Sequence, residues 1–161
     1  MPLPESPRGS TSTHNLRTNL SGLLEYKYSP ETPKKLPARE AMFRGFMRED
    51  GRVGIRNEIW IINTVGCVNR ISEKIASIAN GRFSGRVDGV YTFAHPYGCS
   101  QLGDDHTRTQ AILKNMVNHP NAGGVLVLGL GCENNNIPEF KKVLGDWNEN
   151  RVKFLNVRRG R

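Results

Sequence analysis

The chain has 161 residues, of which 37% are hydrophobic and 24% charged, and a formal net charge of +8. That length suits one domain with a real core plus an arm, and no apolar run approaches the roughly 18 to 20 residues of a membrane span. The excess of Lys and Arg raises nucleic-acid binding as a possibility. Against it, the basic residues are scattered, crowd only near the C-terminus, and accompany no helix-turn-helix, zinc-finger or aromatic-basic motif.

Residues 1–40 carry six of the nine prolines and little periodicity, which predicts an extended arm or linker, with an α/β domain over 41–161. Met1 to Thr13 is Ser/Pro-rich and lacks the apolar core of a secretory signal. Leu16, Leu20, Leu23, Leu24, Tyr26 and Tyr28 could form a surface strap. Phe43–Arg48 and Arg52–Asn57 then flank Asp50-Gly51, a dipeptide that predicts a hairpin with a type I′ turn. Arg44, Arg48, Arg52 and Arg56 straddle that hairpin.

Glu58 to Val65 reads as a strand buried on both faces, followed by a helix with Val68, Ile71, Ile75 and Ile78 at helical spacing and a stop at Asn80-Gly81. A second strand runs from Val87 to Ala94. The next helix is expected to start near Asp104, whose carboxylate can cap it, and to carry Ile112, Leu113, Met116 and Val117 on one face. His119-Pro120-Asn121 stops it. A third strand over Gly124–Leu128, a short helix over Pro138–Leu144 and a last strand over Val152–Val157 complete the alternation. The pattern predicts a Rossmann-like, three-layer α/β domain with a mostly parallel sheet, preceded by the arm and the hairpin.

All three cysteines follow a glycine at a strand exit: Gly66-Cys67, Gly98-Cys99 and Gly131-Cys132. In a parallel sheet such exits share one edge, where open α/β sheets bind ligands. An odd number of widely spaced thiols is no disulfide framework and points to a reducing cytoplasm. Thiols with nearby His, Asp and Glu can hold a metal or supply acid and base groups. Small residues at a crowded turn are the plainer alternative. Gly129-x-Gly131 lacks the third glycine of a dinucleotide site, since position 134 is Asn.

Several motifs in order resemble one family: Phe46 to Asn57, Thr64-Val65-Gly66-Cys67-Val68-Asn69, His95 through Gly98-Cys99-Ser100-Gln101-Leu102-Gly103-Asp104-Asp105-His106, His119-Pro120-Asn121-Ala122, and Gly129-Leu130-Gly131-Cys132-Glu133. They are similar to the altronate/galactarate dehydratases, and Cys99–His106, Asn115–Val117 and Cys132–Asn135 look closer to the altronate-type members. The resemblance implies a cytoplasmic, iron-dependent hydro-lyase of hexuronate breakdown that converts D-altronate to 2-keto-3-deoxy-D-gluconate and water.

On that resemblance His95, Asp105, His106 and Glu133 are expected to be catalytic, Arg52 and Arg56 to bind the substrate carboxylate, and Cys67, Cys99 and Cys132 to hold metal. The cofactor is expected to be Fe²⁺, with an iron–sulfur cluster or another divalent metal left open. The implied partner is a small anionic sugar acid, with no nucleic acid and no membrane, and with room for a homo-oligomer. The chain is expected to be a fragment lacking an N-terminal β-rich module and a C-terminal portion. A galactarate-type fragment, or a non-catalytic binding or assembly domain, is the alternative.

Overall fold

The structure, a computed structural model, describes residues 34–35 and 37–158. The chain divides into two units, 1–41 and 42–161. Nearly all of the expected arm, including the strap from Leu16 to Tyr28, lies outside the described residues.

The second unit begins with a hairpin of β1 (Phe46–Met47) and β2 (Val53–Gly54), paired antiparallel. Its turn differs from the expected type I′. That type needs positive φ at two central residues, whereas Gly51 alone has it, at 80°. Gly51 N–H donates to Arg48 O at 2.9 Å and Arg48 N–H to Arg52 O at 2.8 Å, closing a turn in which Gly51 takes the left-handed position. Asp50 accepts from Arg52 at 2.5 Å.

Four parallel strands follow: β3 (Glu58–Asn63), β4 (Val90–Thr92), β5 (Ala122–Gly129) and β6 (Val152–Asn156), in the order β4-β3-β5-β6. They are linked by α1 (Asn69–Arg82), α2 (Gly103–Val117) and α3 (Ile137–Leu144). Two apolar layers sandwich the sheet. Trp60, Ile62, Val125, Val127 and Val152 meet Leu113 and Val117 of α2 and Phe140 and Leu144 of α3. Ile61, Val90 and Leu128 meet Ala76 of α1 on the opposite face. Burial on both faces explains the near-continuous apolar runs of β3 and β5.

Three helical expectations shift. In α1 the buried positions are Ser72 and Ala76; of the residues at helical spacing, Val68 is buried and Ile75 packs against the core, while Ile71 and Ile78 are exposed. Asn80 does not stop α1; its amide donates to Val90 O and accepts from Val90 N–H, both at 2.8 Å, fixing the start of β4. The N-cap of α2 is Leu102, with Asp104 and Asp105 inside the first turn, and Ile112 is exposed while Gln110 is buried.

The hairpin is pinned to the amino end of the sheet. The Arg48 guanidinium donates to Pro120 O at 2.7 Å, Asn57 Oδ1 at 2.9 Å and Arg56 O at 2.9 Å. Arg151 donates to Val117 O and His119 O, carbonyls at and just past the end of α2, and to Ala122 O at the start of β5. No described helix is long and apolar enough to cross a membrane.

The hydrogen bonds from Arg52 hold the Asp50 carboxyl at about 2, below its ordinary 3.8. A depressed carboxyl stabilises the fold above its unfolded value and loses that contribution as pH falls through the folded one. NMR titration is expected to place Asp50 near 2, and Arg52→Ala to return it toward the ordinary carboxylate range.

Candidate active site

The chain order of the strands reverses at β3, whose neighbours are β4 on one side and β5 on the other. The segments leaving β3 and β5 therefore open a crevice at the carboxyl edge, and the segment leaving β4 joins them. Cys67, Cys99 and Cys132 lie on these three segments, all free and exposed.

Glycine contacts bring them together. A Cβ on Gly66 would sit 2.4 Å from His95 O, and one on Gly98 would sit 2.1 Å from Thr64 O. Gly98 also has φ of 97°, which side-chain-bearing residues rarely adopt. Because the two turns touch backbone to backbone, Gly66 N–H donates to Tyr97 O at 2.8 Å. The third segment closes on the second, with Asn135 N–H donating to Gly98 O at 3.2 Å. Partial desolvation and the neighbouring thiols of Cys99, its hydrogen-bonding partner, and Cys132 push the Cys67 thiol above its ordinary value.

Glu133 is buried and has its acceptors filled. Oε1 accepts from Thr64 Oγ1 at 2.7 Å and Leu130 N–H at 3.0 Å, and Oε2 accepts from Gly131 N–H at 2.6 Å and Cys132 N–H at 2.8 Å. Burial opposes ionisation, yet the backbone and Thr64 hydrogen bonds outweigh it and hold the carboxyl below its ordinary value. Glu133 thus shapes the loop that presents Cys132; it has no lone pair directed at a ligand.

His95 is similarly committed. Tyr97 N–H donates to its Nδ1 at 3.2 Å, and Nε2 lies 2.9 Å from Asn63 O, a pairing that requires the neutral ring with its proton on Nε2. His106 is different: half-buried in the first turns of α2, its Nδ1 is shielded from solvent without a hydrogen-bond partner. It stands one turn before Gln110, whose amide donates to Asn135 Oδ1 at 3.1 Å. Asp105 is exposed in the same turn.

Arg52 and Arg56 do not join this edge. They lie before β3 at its amino end, about 20 Å away by the strand rise of about 3.3 Å per residue. Arg52 pairs with Asp50, and Arg56 with Glu58 at 3.2 Å. As placed here, neither reaches a ligand held between the thiols.

Residues with no expected role complete the site. Asn63 donates to Asn69 Oδ1 and Ser72 Oγ, Thr92 donates to Ser72, and Asn69 donates to His95 O. Asn135, fully buried, donates to Thr64 O at 3.0 Å. Their signal in the sequence is the intrusion of Asn63-Thr64 at the end of an apolar strand and the run Asn134-Asn135-Asn136 after another.

Among the described residues no three His, Cys, Asp or Glu side chains already converge on one ion. The thiols are gathered but not closed into a chelate. Three thiols on separate segments are soft donors whose chemistry fits thiolate-bound iron.

A parallel sheet with helices on both faces and a strand-order reversal at β3 defines an open α/β domain, with the three thiols at its carboxyl edge. Residues 45–160 match the model described as "D-galactarate dehydratase/Altronate hydrolase, second domain", and the chain belongs to that family. It is 51% identical over 146 residues to altronate dehydratase of Escherichia coli (strain K12) and 52% over 146 residues to that of Bacillus subtilis (strain 168). Each alignment covers 88% of this chain and 29% of the relative, so the chain spans under a third of their length. The (2R)-sulfolactate sulfo-lyase subunit beta of Chromohalobacter salexigens is 33% identical over 91 residues, 55% of this chain and 21% of that protein. No solved structure matches.

Two substitutions test the architecture. Gly98→Ala meets both backbone strain and Thr64 O, and is expected to cost about 3 to 4 kcal/mol, seen as a lower melting temperature. Glu133→Gln turns an amide N–H₂ toward the N–H groups of Gly131 and Cys132, and chemical denaturation should show a loss of about 2 to 4 kcal/mol.

Proposed function

We propose that this domain forms part of a sugar-acid hydro-lyase that converts D-altronate to 2-keto-3-deoxy-D-gluconate and water, in cytoplasmic hexuronate breakdown. The observation that carries the reading is the contact of the Gly66-Cys67 and Gly98-Cys99 turns, joined by the Cys132 segment through its backbone, in a chain about half identical to two altronate dehydratases. The altronate and sulfolactate named for the relatives are both 2-hydroxy carboxylates, which favours that substrate class.

The reaction removes the proton beside the carboxylate and expels the hydroxyl on the next carbon. Iron, when bound, supplies Lewis-acid stabilisation of the charge that develops. Cys67, Cys99 and Cys132 would hold it as thiolates, and their spacing on three segments favours an iron–sulfur cluster over a lone ferrous ion. Binding must displace the Cys67 proton, which its neighbours retain above the ordinary thiol value. Of the expected residues, His106, whose shielded Nδ1 has no partner, and the exposed Asp105 in the same turn are the ones left to move a proton. His95 and Glu133 serve as positioning residues, because their own hydrogen bonds occupy them.

Grafting the matched 146 residues into the Bacillus subtilis enzyme places the site in a full-length protein. Anaerobic assay with D-altronate is expected to yield a 2-keto-3-deoxy acid, and Cys99→Ser to lower both iron content and turnover by at least about 100-fold. A graft that folds and binds iron yet forms no product from D-altronate overturns the reading.

A further inference from the structure

The two faces of the sheet are not equally covered. On one, α2 and α3 shield β3, β5 and β6. On the other, α1 lies over β3 and β4 and reaches Leu128 of β5, and no described helix covers the rest of that face on β5 and β6. Pairing of Leu126 with Lys153 and Leu128 with Leu155 puts Lys153 and Leu155 on the α1 side, and Val157 follows by alternation. Leu155 is 51% exposed and Val157 39%.

A groove runs between this uncovered region and α1, lined among others by Ile59, Ile75, Ala79, Phe83, Val87 and Leu126. Asn80 faces β4, so helical geometry turns the opposite flank of α1, with Ile71, Ile75 and Ile78, toward the groove. Ile71 is 38% and Ile78 57% exposed. Of the apolar stripe, Val68 is buried in the core, Ile75 lines the groove, and Ile71 and Ile78 are exposed on the same flank. Parallel sheets are buried on both faces, normally by helices.

We propose that this groove receives an amphipathic helix from the part of the full-length family protein that lies outside the matched segment. The matched segment is 29% of the altronate dehydratases, which leaves ample chain for the purpose. Such a helix would set an apolar stripe against Ile78, Leu126 and Leu155, and carboxylates against Arg86, which lines the groove, and Lys153 on β6. The inference rests on family membership and the open face, not on the proposed reaction.

Two measurements test it, neither of which reads turnover. In the Bacillus subtilis graft, a photo-crosslinking residue at position 78 is expected to attach to the relative's own remaining sequence within the same polypeptide. Attachment to a second copy, or only to sites within the grafted segment, overturns the proposal. Leu155→Asp is expected to shift the melting temperature of this chain alone by no more than about 2 °C and that of the graft by about 10 °C. Equal shifts in both proteins overturn it, whereas a graft that fails to fold while the free variant folds supports it.

Discussion

Everything at the carboxyl edge depends on two backbones being allowed to touch. The turn after β3 and the turn after β4 meet at Gly66 and Gly98, where a single methyl group on either would fall well inside contact distance of the other's carbonyl. That contact sets the hydrogen bond from Gly66 to Tyr97 and presents Gly98 O to Asn135. Three segments distant in sequence are therefore registered by backbone atoms; Cys67 and Cys99, each the next residue along, inherit that proximity, and Cys132 is carried in by the segment that contacts through Asn134 and Asn135. Crowded packing and a thiol site are one arrangement here, since the first creates the second.

Around this contact the polar residues divide by whether they are spoken for. Glu133 and His95 look catalytic as residue types, but their lone pairs and protons are consumed within the fold, one by loop amides and the other by Tyr97 N–H and Asn63 O. The Asn63, Asn69, Ser72 and Thr92 network does the same beneath β4. This polar shell, satisfied except at the buried Asn63 Oδ1, resists rearrangement, since each lost partner leaves a costly orphan. Among the described residues of this edge, what is left uncommitted is small: the exposed thiols and Asp105 carboxylate, and the shielded Asn63 Oδ1 and His106 Nδ1 without hydrogen-bond partners.

The alternation of strands and helices, the parallel sheet and the shared edge of the cysteines were legible because apolar periodicity and Gly-Cys placement are local signals. Strand order was not, yet it decides the geometry: the strand runs alone do not say that β5 returns to the far side of β3. Arg52 and Arg56 show the cost. Their family motif reads as substrate-binding, but the strand between them and Cys67 runs the length of the sheet. Ile71 and Ile78 carry a helical period that marks an apolar face without saying which neighbour covers it. The hairpin turn was misread because Asp-Gly serves two turn types, and Gly51 alone takes positive φ.

The separation of the arginines from the thiols also sets the charge balance of the edge. Three thiolates loaded together with an ionised Glu133 would make this the most negative end of a chain that is strongly cationic overall, and the guanidinium in contact with them among the described residues is Arg158, 4.0 Å from Cys132. Negative charge would arise there only as the thiols give up their protons to a metal, whose own positive charge offsets it. Loading and proton release at this edge would therefore be one event, so that acid and a chelator would empty the same site.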